Sequence, residues 1–158
     1  MTNKEFFIKT VESERERFKA AIEALPEEKL GHKVHDKSRD AGSLASQLAI
    51  QWAAMSQIIT TGKPEFAGLE SGKLSKADML ASFDKNFDQM LKDAAAVSDQ
   101  EWENGDAAMG EIWKDKKYNM VWGFLFDAIH HRGQLSSFLR NMGEKVPSIY
   151  GPTADTKM

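Results

Sequence analysis

Apolar residues recur three or four positions apart in four separate segments of the chain, and this pattern constrains the fold more than any other feature. The segments span about 2–24, 40–61, 75–96 and 120–142. Such spacing places the apolar side chains on one face of an α-helix, and that face must be buried against another element. Four helices of similar length, with no strand alternation of useful length between them, predict an all-α fold, a four-helix bundle.

Capping residues mark the ends of several of these helices. Thr2 and Glu5 have the spacing of a capping box, in which each side chain accepts a hydrogen bond from the backbone amide of the other residue. Ser75 and Asp78 repeat this spacing at the start of the third segment. Gly143 follows the fourth segment, where glycine commonly adopts the left-handed conformation that ends a helix.

The connections between the helices are less regular. Gly62 is expected to end the second helix, and Glu65–Leu74, which is rich in Gly and Ser, predicts a loop. Residues 98–117 predict an irregular cover with one helical turn, and residues 146–152 predict a stiff, extended tail that packs along the bundle. The connection lengths allow one longer crossover, so the periodicity alone leaves the order of helix directions open.

Length and composition limit the classes of protein that fit. The 158 residues suit one domain, 1–158, with a core that needs no disulfide. The absence of cysteine excludes thiolate zinc sites and cysteine nucleophiles and fits a cytoplasmic protein. A net charge of −3, with both signs mixed along the chain, does not favour nucleic-acid binding. No apolar signal segment or long uncharged run is present, so no membrane association is expected.

The segment Asp127–Gln134 places polar side chains on the apolar face of the fourth helix. Asp127 and His131 are four residues apart and project from the same side, with Gln134 one turn further on. A carboxylate and an imidazole among core residues are costly to bury without partners. Each is therefore expected to contact another polar side chain or a metal ion.

The second helix has a matching pair of polar residues, because Gln47 and Gln51, also four residues apart, interrupt its apolar face. Facing helices of a bundle bring such side chains together, so Gln47 or Gln51 with Asp127 and His131 forms a candidate three-residue site. Two interpretations remain open. The trio could hold a divalent metal ion, although a neutral glutamine oxygen is a weak ligand. It could instead form a closed hydrogen-bond network with Asp127 as the acceptor.

Other residues of interest have more ordinary expectations. His130 projects roughly 100° around the helix from its neighbour and is expected to be partly exposed. Arg132 lies on the buried stripe and is expected to pair with a buried acid or to cap a loop carbonyl. Gly133 costs about 1 kcal/mol in a helix interior, so a close approach of another backbone is expected to compensate. His32 and His35 lie in a polar connection and are expected to be solvated.

Stretches of the second helix, the fourth helix and the tail carry a family resemblance. They are residues 122–135, 139–140, 143, 146–147 and 149–152, with Ser38-Arg39 leading into residues 45–49. These stretches resemble the DinB family of damage-inducible, YfiT-like bacterial proteins. The resemblance implies a four-helix bundle with up-down-down-up topology and a homodimer. It also implies a divalent metal on three histidines, one from the second helix and two, four residues apart, from the fourth.

Carried over to this sequence, the three histidine positions fall on Gln47, Asp127 and His131. The resemblance implies that these residues hold a divalent metal, Zn or Ni first, in a site weakened by Gln47. It further implies a metal-dependent thiol transferase or hydrolase, with a small-molecule substrate or a low-molecular-weight thiol as partner. The alternative is a metal-free relative that acts as a small-molecule binding or dimeric interaction protein.

Overall fold

Four long helices account for the four apolar segments of the sequence. The structure, a computed structural model, describes residues 1–65 and 74–156. The elements are α1 (Asn3–Glu23), α2 (Ala41–Thr61), α3 (Lys76–Ala96), α4 (Asp99–Asn104), β1 (Asp106–Met109), β2 (Trp113–Lys116) and α5 (Lys117–Asn141). The prediction of an all-α bundle is confirmed. The predicted loop Glu65–Leu74 falls outside the described residues except at its two ends.

The predicted caps are present at the helix ends. The Thr2 hydroxyl accepts a hydrogen bond from the Glu5 amide at 3.1 Å, and the Glu5 carboxylate accepts one from the Thr2 amide at 2.8 Å. Ser75 caps α3 through its side chain. Gly62 and Gly143 have φ angles of 73° and 78°, so each ends its helix in the left-handed region that glycine adopts without strain.

Side-chain contacts between helices establish their relative directions, beginning with α1 and α3. Nζ of Lys4, at the start of α1, donates to the carbonyl oxygen of Val97 at the end of α3, at 2.8 Å. Nζ of Lys76, at the start of α3, donates to the carbonyl oxygen of Glu23 at the end of α1, at 3.3 Å. The start of each helix lies beside the end of the other, so α1 and α3 are antiparallel.

Helices α2 and α3 run in the same direction. Asn86 donates from its amide to the carbonyl oxygen of Ala49 at 3.2 Å. Two turns further along both helices, the Ser56 hydroxyl donates to the carboxylate of Asp93. The longer connection that joins α2 to α3 must therefore return the chain to the end of the bundle from which α2 started.

Helix α5 runs antiparallel to α2, and this completes the topology. Gln47, near the start of α2, contacts Asp127 near the middle of α5. Lys117, the first residue of α5, donates from Nζ to the carbonyl oxygen of Ile59 near the end of α2, at 3.0 Å. The order of directions is thus up, down, down, up, which confirms the topology that the family resemblance implied.

A two-stranded hairpin lies between α4 and α5, where the sequence predicted an irregular cover. Its strands are antiparallel, with Met109 opposite Trp113. The sequence showed no strand alternation of useful length, and these strands of four residues are too short to show it. Gly62 holds the hairpin against the end of α2, since its carbonyl oxygen accepts from the Ala108 amide at 2.8 Å. A Cβ on Gly62 would lie 2.4 Å from the Asp106 carbonyl oxygen.

Aromatic side chains fill the centre of the bundle. Trp52 of α2 is fully buried, and its ring centroid lies 5.1 Å from that of Phe18, 6.0 Å from that of Phe83 and 4.6 Å from that of Phe87. The apolar stripes of α1, α2 and α3 meet at this cluster. Among the helices within residues 1–65 and 74–156, none has the length and apolarity needed to cross a bilayer.

Candidate functional site

The junction of α2 and α5 brings together three of the side chains that the sequence pattern singled out. Nε2 of Gln47 donates to Oδ2 of Asp127 at 3.4 Å, and Nε2 of His131 lies 3.3 Å from the same oxygen. Gln47 and His131 are partly buried, whereas the Asp127 side chain is 48% exposed. Both contacts are long for hydrogen bonds. The trio is therefore a loosely closed polar group that solvent reaches through Asp127.

Arg39 completes this polar group, and no sequence pattern indicated its role. Its guanidinium donates to Oε1 of Gln47 through Nη1 and to the Ser43 carbonyl oxygen through Nη2, the second at 2.9 Å. Arg39 directly precedes Asp40, the N-cap of α2, so its side chain can reach back over the first two turns of that helix. The Ser38-Arg39 motif was visible in the sequence, but a motif does not say which side chain an arginine contacts.

Hydrogen bonds give the group a defined polarity. Because Arg39 donates to the carbonyl oxygen of the Gln47 amide, the NH₂ group of Gln47 is directed at Asp127. The positive charge of Arg39 beside Oε1 polarises the Gln47 amide and strengthens the hydrogen bond that its NH₂ group donates to Asp127. Nδ1 of His131 lies 2.8 Å from Oε1 of Gln134, and because an amide oxygen can only accept, Nδ1–H is the donor of this hydrogen bond.

The chemistry of this group does not fit a divalent metal ion. The only atom of Gln47 that can ligate a metal is Oε1, and it accepts from the Arg39 guanidinium, a positive charge that would repel a cation. Asp127 and His131 then supply two protein donors, fewer than the three or four of typical zinc sites. Within residues 1–65 and 74–156, no three or more His, Cys, Asp or Glu side chains are grouped to hold a metal.

A cleft of about 450 Å³ opens beside the trio, and we call it the aromatic cleft. It is lined by Gln47, Met109, Trp113, Gly123, Phe124 and Asp127. Its volume falls in the range of roughly 300–1,000 Å³ that is usual for small-molecule sites. Asp127 is the one charged residue in this lining. The cleft thus combines apolar walls with a single carboxylate, an arrangement that can orient a small polar ligand.

Gly123 allows the aromatic wall to form. A Cβ at this position would lie 2.3 Å from Cη2 of the Trp113 ring, a distance that no side chain tolerates. The Trp113 ring therefore lies directly against the backbone of α5. It is nearly parallel to the Phe124 ring, with an interplanar angle of 8° and centroids 6.2 Å apart. The hairpin and α5 together present two aligned aromatic rings to the cleft.

A second cleft, of about 360 Å³, adjoins the same polar group. Arg39, His131 and Gln134 contribute to its lining, together with serine and apolar side chains. Arg39 belongs to this lining, whereas Asp127 belongs to the lining of the aromatic cleft. The two clefts therefore differ in charge, one with a guanidinium and the other with a carboxylate.

Gln51, the alternative that the sequence offered to Gln47, does not join the trio. It lies one turn along α2, it is 5% exposed, and neither atom of its amide has a hydrogen-bond partner in the part of the chain that the structure describes. The contacts of Gln47 to Asp127 and of Lys117 to Ile59 set the register of α2 against α5. By that register, Gln51 lies opposite a part of α5 about one turn nearer the start of that helix than Asp127, and its amide makes no hydrogen bond to Asp127.

The remaining predicted residues differ in outcome. His130 and His35 are exposed, as expected, and His32 lies 2.7 Å from Oδ1 of Asn141 through Nε2. The expectation for Gly133 was wrong, because it is exposed and an added Cβ would meet nothing within 4 Å. The close approach occurs at Gly123 instead. The sequence shows where a helix has a glycine, but it does not show whether a neighbouring group leaves no room for a side chain there.

Arg132 pairs with a buried acid, as predicted, and the acid is Glu14 of α1. Nη1 of Arg132 lies 2.5 Å from Oε2 of Glu14, and Nη2 lies 2.5 Å from the Tyr150 hydroxyl, which donates to Glu14 at 2.8 Å. Burial raises the pKa of Glu14. Hydrogen bonds from Arg132 and Tyr150 lower it, as do the positive charges of Arg132 and Arg17. These lowering effects are larger together, so the pKa of Glu14 lies below its ordinary value. The tail packs on the bundle through this cluster.

The fold and the site define a class of protein: an up-down-down-up bundle with a polar group and two clefts at the junction of its second and last long helices. Within that class, the chain belongs to the DinB family, whose family model matches residues 1–157. A DinB-like protein from Bacillus subtilis superposes with a TM-score of 0.71 at 14% identity, covering 90% of this chain and 96% of its own. A DinB-like protein from Bacillus cereus superposes with a TM-score of 0.72 at 17% identity, covering 92% of this chain and 97% of its own. No curated protein matches.

Proposed function

We propose that this chain is a metal-free member of the DinB family that binds a small molecule in the aromatic cleft. The observation that carries the proposal is the contact between the Arg39 guanidinium and Oε1 of Gln47. Arg39 supplies a positive charge at the α2–α5 junction and occupies the one atom of Gln47 that could ligate a metal. The cleft beside Asp127 keeps the size and the apolar lining of a ligand site.

Metal content of the purified protein tests this proposal first. Tag-free protein, prepared without chelators or metal-affinity resin, is expected to contain far less than one equivalent of Zn, Ni, Mn or Fe. Titration with Zn²⁺ is expected to raise the melting temperature by no more than a degree, because a metal that does not bind the folded state cannot stabilise it. Close to one equivalent of metal, lost in Asp127→Ala, would overturn the proposal.

A gain-of-binding variant gives the proposal a positive test. Gln47→His combined with Arg39→Ala removes the guanidinium and places a third donor beside Asp127 and His131, so this variant is expected to bind Zn²⁺ stoichiometrically. Gln100→His is the matched control, since Gln100 is exposed on α4 and adds a histidine away from the trio. Equal Zn²⁺ binding by the double variant and the control would contradict the role given to Arg39.

A metal-dependent thiol transferase or hydrolase is the second candidate function. It is favoured by Asp127 and His131, two donor types that still lie 3.3 Å apart beside a cleft. A bound Zn or Ni would supply a thiol or water of lowered pKa. The test is thiol-dependent consumption of 1-chloro-2,4-dinitrobenzene with added Zn²⁺ or Ni²⁺. Activity that Asp127→Ala and His131→Ala abolish would favour this candidate over the metal-free one.

Homodimer formation is part of either proposal. Phe126 and Phe6 are 62% and 49% exposed, and both rings pack against Trp122, with centroids 5.8 Å and 5.6 Å away. An exposed aromatic group of this kind often marks a protein interface. Sedimentation equilibrium is expected to show a dimer that Phe126→Ser weakens, while Ile112→Ser, at an exposed hairpin position, leaves it unchanged. A monomer at all concentrations would rule out the dimer.

A further inference from the structure

The carboxylate in the aromatic cleft keeps one oxygen for a ligand. Both contacts to Asp127, from Gln47 and from His131, are made to Oδ2. Its Oδ1 accepts no hydrogen bond from residues 1–65 or 74–156. A half-exposed carboxylate with a free oxygen attracts a positively charged group. Among the described residues that line the cleft, Asp127 is also the only one with a formal charge.

The walls of the cleft suit the same kind of ligand. Trp113 and Phe124 present nearly parallel rings, and Met109 adds a polarisable sulfur. The faces of aromatic rings are electron-rich and attract cations that lie within about 6 Å of the ring centroid. Proteins use aromatic faces to recognise quaternary ammonium groups, and a nearby carboxylate adds attraction between opposite charges.

Arg39 and the two hairpin lysines already have other partners, so none of these three positive charges is held by Asp127. Arg39 is held by Gln47 and by the Ser43 carbonyl oxygen. The hairpin lysines are paired as well, Lys114 with Glu111 at 2.7 Å and Lys116 with Asp106 at 2.6 Å. A cation from solution can therefore bind Asp127 without displacing any of these contacts.

We propose that the ligand of the aromatic cleft is an organic cation, a small molecule with an ammonium group that contacts Asp127 and the Trp113 ring. This inference rests on the proposed binding function and names the chemical class of its ligand. The cleft volume of about 450 Å³ limits the occupant to a small molecule. Asp127 provides the charge and Trp113 the aromatic face.

Three probes of similar size test the charge preference. Benzyltrimethylammonium, benzyl alcohol and phenylmethanesulfonate share a phenyl ring and differ in charge. Binding is followed by the indole N–H signals in ¹H–¹⁵N spectra of the full chain, with the Trp113 signal assigned by its loss in Trp113→Phe. Trp102 and Trp122 are internal controls, because both donate to Asn3 at distances of 2.9 Å and 3.3 Å. The cation is expected to bind about tenfold more tightly than the other two probes.

Isosteric variants test whether the charge of Asp127 causes the preference for the cationic probe. Asp127→Asn is expected to weaken benzyltrimethylammonium binding about tenfold and to change benzyl alcohol binding less than twofold. Asp36→Asn is the matched control, because it removes the same charge at an exposed position outside both clefts. Trp113→Phe lacks the indole signal, so its binding is read from the backbone amide of Gly123 in the same cleft. It keeps an aromatic face and is expected to retain part of the affinity.

The outcomes separate this inference from the proposed function. Equal affinity for all three probes at Trp113, or tightest binding of the sulfonate, would overturn the organic cation while leaving a small-molecule site in place. Equal losses in Asp127→Asn and Asp36→Asn would overturn it too, since only the net charge would then matter. No shift of the Trp113 signal with any probe would overturn both the cation and the cleft as the binding site.

Discussion

Nη1 of Arg132 lies 2.5 Å from Oε2 of Glu14, and the two side chains are only 2% and 7% exposed. This ion pair joins α1 to α5, and the Tyr150 hydroxyl adds the tail to it. The Arg132 guanidinium also lies 4.5 Å from the centroid of the Phe18 ring. An ion pair with so little solvent around it depends on both partners, because a single remaining charge would be buried alone.

Removal of one partner of this pair is therefore expected to cost more than removal of both. Glu14→Leu or Arg132→Met alone should lower the free energy of unfolding by about 3–5 kcal/mol. The double variant should recover much of that loss, since no unpaired charge remains. Urea denaturation of the four proteins provides the measurement. Additive losses would show that the two side chains act independently.

Stability is expected to depend on pH through Glu14. Because the folded-state pKa lies below the ordinary value of 4.5, the ionised carboxylate stabilises the fold above that value. The contribution is lost as pH falls below about 4.5 and through the folded-state pKa. The difference in melting temperature between wild type and Glu14→Leu, recorded from pH 7 to pH 3, should shrink with acid. A constant difference would argue against this linkage.

Two glycines of α5 are expected to respond oppositely to alanine. Gly133→Ala should raise the free energy of unfolding by about 1 kcal/mol, because the position is open and alanine favours the helix. Gly123→Ala has the same helical gain, but its Cβ would overlap the Trp113 ring, at a cost of about 1–3 kcal/mol. It should therefore be no more stable than wild type and should shift the Trp113 indole signal. Equal stabilisation by both would contradict the close contact.

Lys117 is expected to contribute to stability through the end of α2. It is 4% exposed, and its ammonium donates to the Ile59 carbonyl oxygen at 3.0 Å and pairs with Glu101 at 2.7 Å. Lys117→Met would leave that carbonyl without its donor, at a cost of about 1–3 kcal/mol. Glu101→Gln is the matched test of the ion pair and should cost about 1 kcal/mol or less, because Glu101 is half exposed. Thermal unfolding compares the two variants. Equal losses of stability would show that Lys117 contributes through its ion pair with Glu101.

Local sequence signals were enough to predict the bundle. The capping box at Thr2, the cap at Ser75 and the left-handed Gly62 and Gly143 depend on neighbours within four residues, so a single sequence contains them. The hairpin was missed because its strands are short and are held by a contact with Gly62 that is distant in sequence. The helix directions came from the family resemblance rather than from the periodicity.

Part of the site was also predictable from local sequence spacing. Helical spacing put Asp127 and His131 on one face, and the facing position of Gln47 followed from bundle geometry. Arg39 lies outside the helices, so no periodicity places its side chain, and its contact with Gln47 depends on how the chain enters α2. Trp113 was visible as an aromatic residue, but its position against Gly123 required the hairpin.

The hairpin places two side chains of the proposed ligand cleft at the edge of the core. Met109 and Trp113 line the aromatic cleft and pack against the core from outside, whereas Ala107, which is 4% exposed, lies within it. A library that randomises positions 109 and 113 would therefore change the walls of the cleft and leave the aromatic contacts around Trp52 in place. The bundle can serve as a constant frame in which new ligand preferences are selected by changing two positions of one short hairpin.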